Sequence, residues 1–139
     1  MLTVPRAQPV VLELLRTAHP GVTIHSRLDP DALAKLPYVL ARFGERQIHH
    51  ARLRLVSPLT LYVMVRGDDA AADTLSAALY QTLETAAGLK TPIGSPPAYL
   101  GAFEVRAWPA DSPLPGQPSG ITRQEATYLV GIRPASVTP

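Results

Sequence analysis

The sequence of 139 residues contains no cysteine, which excludes disulfide bonds, thiolate metal sites and a cysteine nucleophile. It has no run of 18 or more apolar residues, so we predict no membrane-spanning helix and no membrane partner. A basic region followed by an apolar core is missing from its start, so we expect no signal peptide. A chain of this length most simply forms one domain, 1–139, and buries enough surface to fold without cross-links.

Motifs for phosphate binding and nucleophilic catalysis are also absent. Neither G-x-G-x-x-G nor G-x-x-x-x-G-K-[ST] occurs, and there is no G-x-S-x-G elbow. Asp68, Asp69 and Asp73 precede or begin a predicted helix, and helix capping explains the first two more simply than a cation site or a pair of acids. The adjacent His49 and His50 would point in opposite directions on a strand, which favours an exposed loop over a metal site. We therefore predict no catalytic residue, metal, cofactor or enzymatic activity.

Lysine is scarce, because the basic residues are eleven Arg and two Lys. A GC-rich coding sequence explains this bias together with the abundant Ala and Pro. The net charge of +2 is small for a dedicated nucleic-acid binder, which usually carries a stronger basic excess on one face. Composition thus gives no argument for or against DNA nearby.

The stretch 59–88 predicts a core strand followed by the longest helix. Leu59, Leu61, Val63 and Val65 alternate with polar or larger residues, which is the period of a half-buried strand. Gly67 ends the strand, and apolar residues then recur at three- and four-residue spacing. Asp68 and Asp69 are placed to cap this helix, Gly88 to end it in a left-handed conformation, and Leu89 to fold back on its last turn.

The other elements follow from the same periodicities. A helix is expected from Pro9 to residue 18, a short strand over 22–26, a helical turn near 31–35 and a strand over 38–43. Alternation resumes over 52–55, breaks at Ser57-Pro58, and returns in strands near 103–108 and 125–133. This order predicts a single α+β domain: a mostly antiparallel or mixed sheet of about five strands with two helices on one face.

Two segments, 44–50 and 109–120, are predicted to be flexible loops, and the last residues a loose tail. Arg52 and Arg54 share one face of a strand, which is either a solvated face or a basic strip toward a partner. Trp108 is expected on the outward face of its strand, where it suits an interface core or a position under the following loop. The candidate interface residues are Arg46, His49, His50, Arg52, Arg54 and Trp108.

Taken in order, the chain resembles the tail-terminator, or tail-completion, proteins of long-tailed bacteriophages. The resemblance covers nearly the whole chain and has no single specific motif. Near the end of the chain, the similar features are a Pro-rich loop that leads into 120–123 (GITR) and a strand that ends at 132–134 (IRP). The loop 109–120 is long for the family. The earlier segments are 19–22 (HPGV), 36–40 (LPYVL), the alternating stretch 51–66 that leads into 63–68 (VMVRGD), and the Ala-rich helix of about five turns.

The resemblance implies a structural virion protein that caps the tail tube as a hexameric ring and offers the joining surface for the head. It implies as partners further copies of the chain, tail-tube protein and head–tail connector proteins, with DNA passing through the lumen without sequence-specific binding. The location implied is the head-proximal end of the tail, after assembly in the bacterial host cytoplasm. The alternatives are another neck component, such as a head-closure protein, or a small cytoplasmic ligand-binding or enzymatic α/β domain.

Overall fold

The fold is α+β, as the periodicities predict. The computed structural model describes residues 6–49 and 54–135, with the backbone alone at 48–49 and 54–55. In this part of the chain, no helix is long and apolar enough to cross a membrane. The elements are α1 (Ala7–Ala18), β1 (Thr23–His25), a short 3-10 helix (Ala32–Ala34), β2 (Tyr38–Phe43), β3 (Gln47–His49), β4 (Arg54–Arg66), α2 (Asp69–Leu89), β5 (Ala98–Asp111) and β6 (Ile121–Pro134).

The sheet is mixed, with strand order β1-β2-β4-β6-β5, and β3 pairs with β4. Only the β1–β2 pair is parallel among the described strands; every other neighbour is antiparallel. β1 and β5 therefore lie at the two edges, and the long β4 lies in the middle. Helices α1 and α2 cover one face of this sheet, as expected.

β4 is continuous through Ser57-Pro58, where the sequence predicts an interruption. The irregularity lies instead in the chain that pairs with β4. Phe43 pairs with Leu59 and Gln47 with Val56, so the three residues 44–46 between β2 and β3 lie opposite the two residues Ser57 and Pro58 of β4. Pro58 has no N–H to give, but its carbonyl accepts a hydrogen bond from the Gly44 N–H at 2.8 Å. The connection between β2 and β3 therefore lies opposite Pro58, and β4 itself is not ended by the proline.

The main core lies between the helices and the sheet. Leu59, Leu61, Val63 and Val65 of β4 point into it, as the alternation predicts. α2 contributes Leu79 and Leu83, which are fully buried, and α1 contributes Val11 and Leu15, also fully buried. A hydrogen bond of 2.7 Å between His19 Nε2 and Thr82 Oγ1 joins the two helices, and burial lowers the pKa of His19.

The ends of α2 agree with the prediction at one end only. The Asp68 carboxylate accepts a hydrogen bond from the Ala71 N–H, so it is the expected N-cap. Gly88 is not the C-cap: the helix continues through Leu89, and Lys90 takes the left-handed conformation with φ of 51°. Leu89 is 74% exposed and does not fold back on the last turn. The expected glycine cap fails because the Lys90 and Thr91 N–H groups both reach the Ala86 carbonyl, one turn back.

Gln124 is a buried polar residue that the periodicities do not predict. Its Oε1 accepts a hydrogen bond from Ser76 Oγ at 2.8 Å, and its Nε2 donates to Asp73 Oδ1 at 2.6 Å. Ser76 lies off the apolar stripe of α2, yet it is only 4% exposed because Gln124 gives its hydroxyl a partner. A polar contact thus fixes α2 against β6 inside an otherwise apolar layer.

The second face of the sheet has its own smaller cluster under the segment 26–37. Tyr38, Leu40 and Met64 pack there with Ala32. The Tyr38 hydroxyl donates a hydrogen bond of 2.7 Å to the Arg27 carbonyl, which holds the segment against β2. Asp29 accepts from Lys35 at 3.1 Å, and this pairing lowers the pKa of the Asp29 carboxyl and raises the pKa of Lys35.

Candidate assembly interface

Three of the six candidate interface residues, Arg46, His49 and Arg54, are described in the β3–β4 hairpin or beside it. Arg46 is exposed in the short connection before β3, and His49 pairs with Arg54 in the backbone ladder. His50 and Arg52 lie outside the described residues. The predicted loop 44–50 therefore contains a strand at Gln47–His49, which a single apolar residue, Ile48, did not reveal. Whether this segment moves in the free chain stays a prediction.

A groove of about 1010 Å³ separates the first turns of α1 from the start of this hairpin. Arg6, Arg16 and Arg46 line it together with Glu13 and Glu45, so charges of both signs face the same depression. Ser57 and Phe43 form part of its floor. The groove therefore has a polar lining of mixed charge.

A second groove, of about 630 Å³, lies on the other side of the α1 N-terminus. Its lining is mostly apolar and rich in proline, with Pro9 and Val10 from α1 and Ile93, Pro96 and Pro97 from the segment before β5. Both grooves open at the same end of the sheet as the hairpin. The start of β4, the end of β6 and the start of β5 all lie at this end, because Ser57 pairs with Val130 and Ala98 with Pro134.

Trp108 is on the helix-covered side of β5, not on the opposite face as its spacing from Phe103 and Val105 predicts. Its ring centroid lies 5.2 Å from that of Tyr80 on α2, in an edge-on arrangement. The Phe103 centroid lies 5.9 Å from the same Tyr80 ring. Register shifts between Val105 and Ala107 and between Ala107 and Ala110 explain the error, since an extra residue reverses the facing of all that follow.

Tyr80, Phe103, Trp108 and Tyr128 form one aromatic cluster, and Trp108 is its exposed member at 62%. Burial raises the pKa of Tyr80, and a hydrogen bond to Glu84 raises it further. Burial also raises the pKa of Tyr128 to about 12, with a smaller contribution from Tyr80. A rigid aromatic base beneath an exposed indole is a common arrangement at protein interfaces.

The structure does not bring Trp108 and the hairpin together. Ala107 pairs with Thr127, which pairs with Thr60, whereas the hairpin begins at Arg54. Six residues of strand separate these levels, roughly 20 Å at about 3.4 Å per residue. The candidate residues therefore belong to two separate surfaces.

Both edges of the sheet are shielded against the addition of a further strand. At the β1 edge, Arg16 Nε donates a hydrogen bond of 2.8 Å to the Ile24 carbonyl. At the β5 edge, the register shifts, Pro109 and the ion pair between Arg106 and Glu104 interrupt a regular ladder. Bulges, proline and charge are the usual means of preventing edge pairing, so contacts at these edges must be made by side chains.

Among residues 6–49 and 54–135, no group of three His, Asp or Glu side chains is arranged to hold a metal ion. Comparisons with known proteins give no family assignment. No protein family model matches the chain. No curated protein matches it either.

Solved structures include chains similar to this one. One is a chain titled "Virion of native gene transfer agent (GTA) particle", which is 14% identical. The alignment covers 91% of this chain and 87% of that chain, with a TM-score of 0.44. Identity and a TM-score this low do not transfer a function to this chain.

Proposed function

We propose that this chain is a structural virion protein that caps the tail tube of a phage-like particle as a ring, most simply a hexamer. The observation that carries the proposal is the agreement between the family-like segments and the elements in which they lie. Residues 19–22 end α1, 36–40 lead into β2, and 63–68 join the central strand to the N-cap of α2. Residues 120–123 lead into β6, and 132–134 end it.

The two separate surfaces suit a ring protein that must hold its neighbours and also hold a tube. The β3–β4 hairpin is separate from β6, since β4 pairs with β6 only from Ser57 onward. A hairpin that carries the exposed Arg46, together with the predicted basic strip of Arg52 and Arg54, suits a contact along the ring axis, with the tail tube or with a connector protein. The exposed Trp108 is far from it and suits a contact between subunits.

The protein acts in this proposal by binding and not by catalysis. The ring lies at the head-proximal end of the tail, joins it to the connector proteins of the head, and lets DNA pass through its lumen without reading sequence. A net charge of +2 per chain fits a lumen that does not hold DNA tightly. A head-closure protein would share these partners, and the tube assay below separates the two functions.

The test uses the purified chain together with tail tubes from the same phage-like particle. These tubes are assembled in the absence of this protein. We expect rings by electron microscopy, with a hole wide enough for DNA, bound at one end of each tube. We also expect sedimentation to show association over a wide concentration range or upon addition of tubes. A chain that stays monomeric throughout and leaves tubes uncapped would contradict the proposal; binding to isolated head connectors alone would favour the head-closure alternative.

A further inference from the structure

Exposed carboxylates and an exposed indole lie along the seam between α2 and β5. On α2, Asp73, Tyr80 and Glu84 follow one another at intervals of seven and four residues, so they share one side of the helix. That side faces β5, because the ring centroid of Tyr80 lies 5.2 Å from that of Trp108. The Tyr80 hydroxyl also bonds to the Glu84 carboxylate, which places this carboxylate next to the aromatic pair.

Asp111, the last residue of β5, adds a carboxylate at the Asp73 end of the seam. Gln124 Nε2 donates to Asp73 Oδ1 at 2.6 Å and to Asp111 Oδ1 at 3.4 Å, so one buried amide holds these two carboxylates together. Glu84 lies roughly 16 Å away along α2, at about 1.5 Å per residue, with Trp108 in between. We call this surface the acidic seam, formed by Asp73, Tyr80, Glu84, Trp108 and Asp111.

Basic side chains of the surrounding elements do not offset this charge. α2 contains no Lys or Arg, and the one Arg of β5, Arg106, contacts Glu104 at 3.7 Å on the side of the strand away from the helices. Arg123 of β6 also points to that other side, where its guanidinium lies 4.4 Å from the centre of the Tyr62 ring. Lys90 follows the end of α2, roughly 9 Å past the last carboxylate of the acidic seam. The acidic seam is therefore negative as a whole.

The acidic seam is ordered and still has binding capacity. Trp108 is 62% exposed, and its edge-on contact with Tyr80 fixes the indole. Asp73, Glu84 and Asp111 are exposed, and the two oxygens of a carboxylate offer about four acceptor positions, more than the contacts within the seam use. A partner would thus meet a fixed aromatic face flanked by carboxylates, without the need to order a loop.

The combination of indole and carboxylates selects an arginine. A purely apolar partner would desolvate the carboxylates without pairing them, which is costly, and the phosphates of a nucleic acid would be repelled. A cation is attracted both by the face of an indole and by the carboxylates beside it. Arginine suits this surface better than lysine, because its planar guanidinium stacks on aromatic rings and bonds carboxylates through two parallel N–H groups.

We infer that the acidic seam is a docking site for an arginine-bearing protein segment, with a guanidinium over the Trp108 indole and further basic side chains at the carboxylates. The inference deepens the proposed function and rests on it in one respect: in the proposed ring, the neighbouring subunit presents this segment. The chain can supply it, since ten of its eleven Arg lie outside α2 and β5.

The probe is a peptide of three Arg-Gly-Ser repeats, and the two comparison peptides carry Lys or Leu in place of Arg. Trp108 is the single Trp of the chain, so its fluorescence reports binding at the acidic seam directly. The variants are Glu84→Gln, which removes a charge and keeps the size of the side chain, and Trp108→Leu, whose binding is measured by calorimetry. Glu13→Gln is the matched control, the same change at an exposed residue of α1 outside the seam. Melting temperatures verify folding.

We expect the Arg peptide to change the Trp108 emission with a saturable curve that added salt weakens. The Lys peptide should bind about 2–5-fold more weakly and the Leu peptide not at all. Glu84→Gln and Trp108→Leu should each weaken the Arg peptide by about 2–5-fold, while Glu13→Gln leaves it unchanged. The Arg peptide should also compete with ring formation by the wild type, because it covers the surface that the neighbouring subunit needs.

Each part of the inference has its own contrary result. No response to the Arg peptide, equal binding of the Lys or Leu peptide, or an equal loss in Glu13→Gln would overturn the arginine site. Rings that form normally with the Arg peptide bound would overturn the assignment of the site to the neighbouring subunit. Peptide binding as expected, with no ring from the wild type alone or on tubes, would overturn the proposed function and leave the arginine site standing.

Discussion

Leu79 and Leu89 show how strongly position on one helix decides the cost of a substitution. Leu79 is fully buried among core residues, while Leu89 is 74% exposed. Leu79→Ala should lower the free energy of unfolding by about 2–5 kcal/mol, through lost burial and the cavity left behind. Leu89→Ala should change it by about 0.5 kcal/mol or less. Urea denaturation of both variants measures the difference, and equal losses would show that the core is not where the structure places it.

Because Tyr128 is buried, the free energy of unfolding should depend on pH in the alkaline range. Its pKa of about 12 in the folded chain lies above the ordinary phenol value of about 10, because it is buried. The folded state thus binds its proton more tightly, so the stabilisation is complete below pH 10 and is lost as pH rises toward 12. The loss should approach about 3 kcal/mol.

The measurement compares wild type with Tyr128→Phe, which has no phenol proton. Urea denaturation at about pH 9 and about pH 11.5 should show a steeper loss of stability for wild type than for the variant. Parallel losses in the two proteins would mean that Tyr128 ionises normally.

Single residues also show what the sequence does not reveal. Ser76 lies off the apolar stripe of α2, and no local pattern predicts its burial because its partner, Gln124, lies far along the chain. The N-cap at Asp68 was predictable because it depends on neighbouring residues alone. The C-cap was not, since Lys90 adopts a conformation for which Gly88 is the better local candidate.

At the level of elements, regular alternation predicted the strands and irregularity caused the errors. β2 has the predicted bounds, whereas β5 and β6 extend beyond theirs because pairing with neighbours continues after the apolar pattern ends. β5 reaches Asp111, so the predicted loop 109–120 is irregular only from residue 112. The position of Trp108 depended on register shifts that only strand pairing shows.

The remaining loop, 112–120, is expected to be mobile in the free chain and ordered in the assembly. It holds three prolines and two glycines among small polar residues, and little of it packs against the core. Hydrogen exchange should therefore be fast over 114–120 and over 45–46 in the monomer, and slower after assembly on tail tubes. The paired residues of β4 give the slow reference within the same molecule. Strong protection of both segments in the isolated monomer would contradict the prediction.

For the whole molecule, the periodicities predicted the α+β fold, and the function rests on the family resemblance. A surface is harder to predict than a core, since burial leaves a repeating pattern in the sequence and a contact with another chain leaves none. The distance between Trp108 and the hairpin is an example: it appears only when the pairing of β4, β6 and β5 is known.

The last prediction separates the fold from the assembly by reversing the charges of Arg52 and Arg54, which are next to the hairpin or in it along the sequence. Arg52→Glu with Arg54→Glu should leave stability within about 0.5 kcal/mol per residue, as for ordinary surface positions. If this hairpin contacts the tail or a neighbouring subunit, the folded variant should fail to cap tubes, because repelled charge at an interface is costly.

Two measurements are made on the variant: its melting curve, and the number of tails of normal length in a complementation assay. Arg66→Glu is the matched control, the same charge reversal at the exposed opposite end of β4, away from the hairpin. Normal melting with loss of normal tails in the hairpin variant alone would place the axial contact at the β3–β4 hairpin. Normal melting with full recovery of infectious particles would show that Arg52 and Arg54 form a solvated face, and the tube contact would then have to be sought at the grooves beside α1.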